Sequence, residues 1–192
     1  MSRSPPRPTP LGFRARLLVP AVVIFGVLAF AGREADAAQR FDPVKVKAAF
    51  IFNFARYIEW PPARFAAAES PLMIGVVADA RVADELRAIV QTRQVHGRSI
   101  FVTEVETLDE AQLTHLLYVA PAGERRFAEF LPGLRTSQVV TVGESAEFHE
   151  RGGALVLYVD HDRLRFRVNA DVHRSDGVKF SSQLLKLASS GD

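Results

Sequence analysis

Three arginines occupy alternate positions of one short stretch, Arg163-Leu164-Arg165-Phe166-Arg167-Val168-Asn169. On an extended strand this spacing puts the guanidinium groups on one face and the apolar residues on the other. Guanidinium grips carboxylates in two-pronged pairs, so the chemistry on offer is recognition of an acidic partner or an anion. The plainer alternative is a solvated strand face. Asn169 and Asp171 are suited to capping the turn that follows.

Other chemistries find less support. The five histidines are His96, His115, His149, His161 and His173. None are spaced i,i+2, i,i+3 or i,i+4, which would bring two imidazoles to one metal. They read as turn and surface residues. The absence of cysteine removes thiol catalysis, thiolate metal sites and disulfides together. No G-x-S-x-G marks a serine nucleophile, and Ser181-Ser182 with Lys186 is not S-x-x-K. Asp79-Ala80-Arg81 stands where a phosphate loop needs glycine, and Asp79 would repel phosphate. Glu104 with Glu106 and Glu144 with Glu147 sit beside strands or loops that read as solvated. The chain reads as non-enzymatic, with no metal and no cofactor.

Charge narrows the partners. The 192 residues carry 24 Lys+Arg and 22 Asp+Glu, a net +2. Residues 1–37 hold five arginines and two acids, which leaves 19 basic and 20 acidic residues in 38–192, or −1. The basic excess therefore belongs to the first segment, which argues against a nucleic-acid partner for the body of the chain. That segment starts with four arginines and no acid by residue 16, then runs uncharged through Leu17–Gly32 to Ala35-Asp36-Ala37. A positive start, a short apolar run and an A-x-A site read as a cleavable secretory signal. The apolar run, interrupted by Pro20 and Gly26, is short of the roughly 20 residues a membrane-spanning helix needs. Residues 1–37 are expected to be removed, leaving 38–192 as one periplasmic domain. A domain of this size buries about 70% of its extended surface and forms a core without disulfides.

The elements that position these residues follow from periodicity. Asp42-Pro43 opens a helix over Val44–Trp60 with apolar residues three and four apart, ended by Pro61-Pro62. Its aromatics Phe50, Phe52, Phe54, Tyr57 and Trp60 make it apolar nearly all round, so more than one side should be covered. Leu72–Asp79, Leu116–Ala120 and Val139–Gly143 read as buried strands, and Ile100–Val105 as an alternating one. Val82–Thr92, Asp109–Leu113 and Glu124–Leu131 read as helical. Leu155–Val159 and Leu164–Val168 flank His161-Asp162 as a hairpin. Ser181 caps a last helix over Ser182–Ala188. The result is a single α/β domain with a mixed, mostly parallel sheet, helices on its flanks and a C-terminal antiparallel hairpin.

The segment Lys47-Ala48-Ala49-Phe50-Ile51-Phe52-Asn53-Phe54-Ala55-Arg56-Tyr57-Ile58-Glu59-Trp60-Pro61 resembles the opening signature of the YfiR-like family. Val95-His96-Gly97-Arg98, Gly152-Gly153, Arg165-Phe166-Arg167-Val168-Asn169 and Val178 to Ala188 resemble its later motifs, so the likeness covers residues 44–188. Asn53, Tyr57, Trp60, Pro61, Asn169, Ser181, Ser182, Leu184 and Leu185 match the signature and read as structural. Asn53 is expected to bond neighbouring backbone.

The resemblance implies a periplasmic regulator that binds the sensor part of an inner-membrane diguanylate cyclase and lowers cyclic-di-GMP output, restraining biofilm growth. It also implies an outer-membrane OmpA-like lipoprotein as a second partner, and a homodimer as a further candidate assembly. Disulfide control, known in the family, does not carry over to a chain without cysteine. The partner contact is assigned to Arg163, Arg165 and Arg167. The alternative is a small-molecule sensor with a crevice near Asp79, Ala120 and Gly143.

Overall fold

A computed structural model describes residues 42–169 and 177–189. The expected export segment, Asp171 and His173 lie outside them. Helix α1 (Pro43–Tyr57) starts where the Asp42 carboxylate accepts the Val44 N–H at 3.0 Å, with Pro43 at its first position. It ends before Trp60, earlier than the spacing suggests. Ile58–Glu59 turns extended as β1 and pairs with Lys179–Phe180 near the other end of the chain. Pro61 favours the extended backbone of Trp60 just beyond it.

The chain continues through β2 (Leu72–Val77), α2 (Ala80–Val90), β3 (Gln94–Val95), β4 (Arg98–Glu104), α3 (Leu108–Gln112) and β5 (Leu116–Val119). Then come α4 (Pro121–Phe127), a 3-10 turn (Ala128–Phe130), α5 (Leu131–Thr136), β6 (Val140–Gly143) and α6 (Ala146–Glu150). The hairpin of β7 (Leu155–Asp160) and β8 (Arg163–Val168) is followed by β9 (Lys179–Phe180) and α7 (Ser182–Ser189).

The main sheet runs β3-β4-β2-β5-β6-β7-β8. Its five inner strands are parallel, and β3 and β8 are antiparallel at the two ends. This is the expected α/β sheet with its C-terminal hairpin. Strand order reverses between β2 and β5, the place where open parallel sheets usually carry a crevice. One face packs Ile51, Phe54, Ile74, Val82, Leu86, Tyr118 and Phe166 with α1, α2 and α7. The other packs Val77, Leu117, Phe127, Leu134 and Phe148 under α3 to α6. Cover on both faces explains why the central strands are apolar at nearly every position.

Two local features escaped the periodicity. Helix formation around residue 124 begins at Pro121 and, with one 3-10 turn, continues to Thr136. Helix α6 is too short to show a period. Ser145 caps it by accepting the Phe148 N–H at 3.1 Å, and Phe148 is its single buried anchor. The Gly152-Gly153 motif follows from that anchor. Gly152 has φ +99°, and a Cβ on Gly153 would land on the Phe148 ring. The expected His161-Asp162 turn is present, with φ of +47° and +60°, the left-handed pair that suits a two-residue hairpin.

Candidate binding site at the outer sheet edge

Strand β8 is the last strand of the sheet. Its ladder to β7 matches Asp160 with Arg163, Tyr158 with Arg165 and Val156 with Arg167. The Asn169 N–H extends the ladder by donating to the Ala154 carbonyl at 2.9 Å. In an antiparallel pair, alternate residues turn their backbone groups to the same side. Those of Arg163, Arg165 and Arg167 therefore face β7, and those of Leu164, Phe166 and Val168 face outward. No described strand pairs with that outer side.

The apolar face of β8 lies against α1. The Phe166 ring packs edge-on to Phe54 at 5.0 Å and to Phe50 at 6.0 Å. Between α1, β8 and α7 a groove of about 360 Å³ remains, lined by Phe50, Asn53, Phe54 and Tyr57, by Leu164, Arg165 and Phe166, and by Leu184 and Leu187. Leu187 on its rim is 52% exposed. Asn53 does not bond backbone as expected. It is half-buried on the groove, and its Oδ1 accepts from Arg56 Nη1 at 3.3 Å. Tyr57 also lines the groove, and its carbonyl accepts the Ser181 N–H at 2.9 Å.

The other signature residues hold the ends of these elements. Ser181 Oγ accepts the Leu184 N–H at 3.2 Å and so caps α7, while Ser182 is exposed and Leu185 half-buried. Asn169 Nδ2 donates to the His149 carbonyl at 3.3 Å. Trp60, beside the half-buried Pro61, donates from Nε1 to the Gln138 carbonyl at 3.2 Å.

The three arginines share the opposite face of β8. Arg165 Nε lies 2.8 Å from Asp160 Oδ2, an ion pair not aligned as a hydrogen bond. The Arg167 guanidinium sits 4.6 Å above the Tyr158 ring. Arg163 is exposed beside the hairpin turn. Cations thus line the outer face of the edge strand, and apolar groups line its inner face.

A second polar cluster was missed in the sequence. Glu144 is only 18% exposed, against the expectation of a solvated carboxylate. Its Oε1 is 2.7 Å from Lys47 Nζ and accepts the Tyr118 hydroxyl. The buried Glu124 carboxylate accepts the backbone N–H groups of Glu144 and Ser145. Burial first, then the hydrogen bond to Glu144, raises the Tyr118 hydroxyl far above its ordinary pKa, so it stays a donor. A cavity of about 380 Å³, lined in part by Pro43, Lys47, Glu144 and Tyr158, opens beside this cluster, just past Gly143. At the expected crevice itself, Asp79 is occupied as the cap of α2, accepting the Val82 N–H at 3.2 Å. The cluster joins residues far apart in the chain, so no local motif announces it.

His115 is also not a surface residue: it is 4% exposed. Its Nδ1 accepts the Met73 N–H at 3.0 Å, and the Phe65 ring stacks on it at 4.4 Å. Burial, then the nearby Arg64, pulls its pKa down to about 4, so it is neutral. Arg64 Nη2 donates to the carbonyls of Gln112 and Thr114. Arg98 Nη1 donates to those of Ala67, Ala68 and Ser70, while its guanidinium lies 3.7 Å over Phe65. These contacts fasten the loop between α1 and β2. Among the described residues, no three histidine or acidic side chains gather as a metal site. Nor is any helix among them long and apolar enough to cross a membrane.

No curated protein gives a significant match to the chain. The family model described as YfiR/HmsC-like matches residues 44–189, from the start of α1 to the end of α7. The chain belongs to the YfiR/HmsC-like family.

Proposed function

We propose that the chain is exported, loses residues 1–37 and acts in the periplasm as a non-enzymatic regulator. It binds the periplasmic sensor part of a membrane diguanylate cyclase and holds it inactive, which lowers cyclic-di-GMP. An OmpA-like outer-membrane lipoprotein competes for the same chain. Membership of a regulatory family over residues 44–189 carries this reading. The cation-lined edge strand supports it as a contact surface. Deleting the gene tests it: cyclic-di-GMP rises and returns to its former level on complementation. Unchanged cyclic-di-GMP would contradict it.

A second reading is a small-molecule sensor that feeds the same partner. The groove of about 360 Å³ favours it, being within the size range of ligand sites and lined by aromatic rings around one amide. Soaking with metabolite mixtures and following the Tyr57 and Asn53 resonances by NMR distinguishes it from a purely protein-binding surface.

A further inference from the structure

We propose that β8 receives an added strand from its partner, an extended segment that alternates carboxylate and apolar side chains. The proposal rests on the protein-binding reading above and specifies how that contact is made. Three observations converge on it. The outward backbone groups of Leu164, Phe166 and Val168 have no strand partner among the described residues. That is the template on which an extended peptide adds to a sheet. The arginine face of β8 would meet every second side chain of such a segment, and its chemistry calls for carboxylates there. The remaining side chains would point to the other face, where the groove floored by Phe166 and rimmed by the exposed Leu187 lies.

A second copy of the chain fits this edge poorly. Pairing β8 with β8 would set three arginines against three arginines, and like charges directly across a ladder repel. The occupant is therefore an acidic, alternating segment of a different protein.

The test uses the protein with a synthetic peptide of about eight residues that alternates glutamate with valine, long enough to span a strand of this length. Backbone hydrogen exchange is followed by NMR. The peptide should slow exchange at Leu164, Phe166 and Val168. N-methylation of its β8-facing amides should weaken binding by about tenfold, the worth of a backbone hydrogen bond or two. Lysine in place of glutamate should abolish binding, and the chain carrying Arg163→Glu, Arg165→Glu and Arg167→Glu should recover it.

Binding that ignores alternation or N-methylation would overturn the proposal. So would unprotected amides at these three positions, or protection that grows with protein concentration alone and marks a second copy on the edge. A purified cyclase sensor domain separates the two claims. If it binds without protecting these amides, the regulatory reading stands and strand addition falls. If the peptide protects them and no sensor domain binds, strand addition stands and the regulatory reading falls.

Discussion

Arginine serves two different ends in two regions of this molecule. Near the loop between α1 and β2, Arg64 and Arg98 donate to five main-chain carbonyls, and Arg98 stacks on Phe65. On β8, Arg165 pairs with Asp160 and Arg167 lies over the Tyr158 ring, both on the same hairpin, and Arg163 is exposed. The first set ties distant segments together and therefore acts on the fold. The second set stands along the edge strand of the sheet, with Arg163 exposed at the hairpin turn, where a proposed partner would meet it. A guanidinium contributes to stability chiefly where its removal strands buried acceptors.

The comparison can be broken most sharply at Arg64. Arg64→Ala leaves the Gln112 and Thr114 carbonyls without their donor, and urea unfolding should show a loss of about 3 kcal/mol. A loss as small as that of a surface arginine would erase the distinction between the regions.

The same region predicts a pH dependence. His115 titrates at about 4 when folded and near 6.5 when unfolded, so the unfolded chain binds its proton more readily. Its contribution is complete above about pH 6.5 and declines as the pH falls toward 4, by on the order of 2 kcal/mol. Unfolding measured at pH 7.5 and 4.5 should show this decline, and His115→Gln should flatten it. Equal slopes in both chains would place the titration elsewhere.

A smaller effect is expected at the Glu144 cluster. Tyr118→Phe removes one donor while Lys47 still pairs with Glu144, so the loss should be about 1 kcal/mol by thermal unfolding. A loss of several kcal/mol would mean that the hydroxyl organises the whole cluster.

The smallest effect on stability belongs to β8. Arg163→Gln should change unfolding free energy by less than about 0.5 kcal/mol, because the side chain is exposed and the neutral replacement sets no like charge opposite Asp160. A large loss there would make β8 another fastening point.

Much of the fold was legible because its signals are local. Leu72–Val77 is apolar throughout, which marks a strand covered on both faces. Asp42-Pro43 and Ser181 carry their capping chemistry in the residue type. Alternation of arginine with apolar residues showed which face of β8 would be charged before any pairing was known. What escaped depends on distant partners. Two residues at Ile58–Glu59 become a strand only because Lys179–Phe180 meets them. Glu144 has the same local appearance whether it is solvated or held by Lys47 and Tyr118. His115 likewise carries no mark of the Phe65 ring and the Met73 amide that bury it. The groove was only half visible: the aromatic face of α1 could be read, but not the meeting of Leu184 and Leu187 with Phe166 across it.

The central claim is that the β8 arginines act on a partner rather than on the fold. Cyclic-di-GMP in a deletion strain complemented with the Arg165→Glu, Arg167→Glu chain tests it most directly. The account predicts that cyclic-di-GMP stays at the elevated deletion level, while the variant melts within about 3 °C of the unmodified protein. Full restoration of the low level by this folded variant would contradict it.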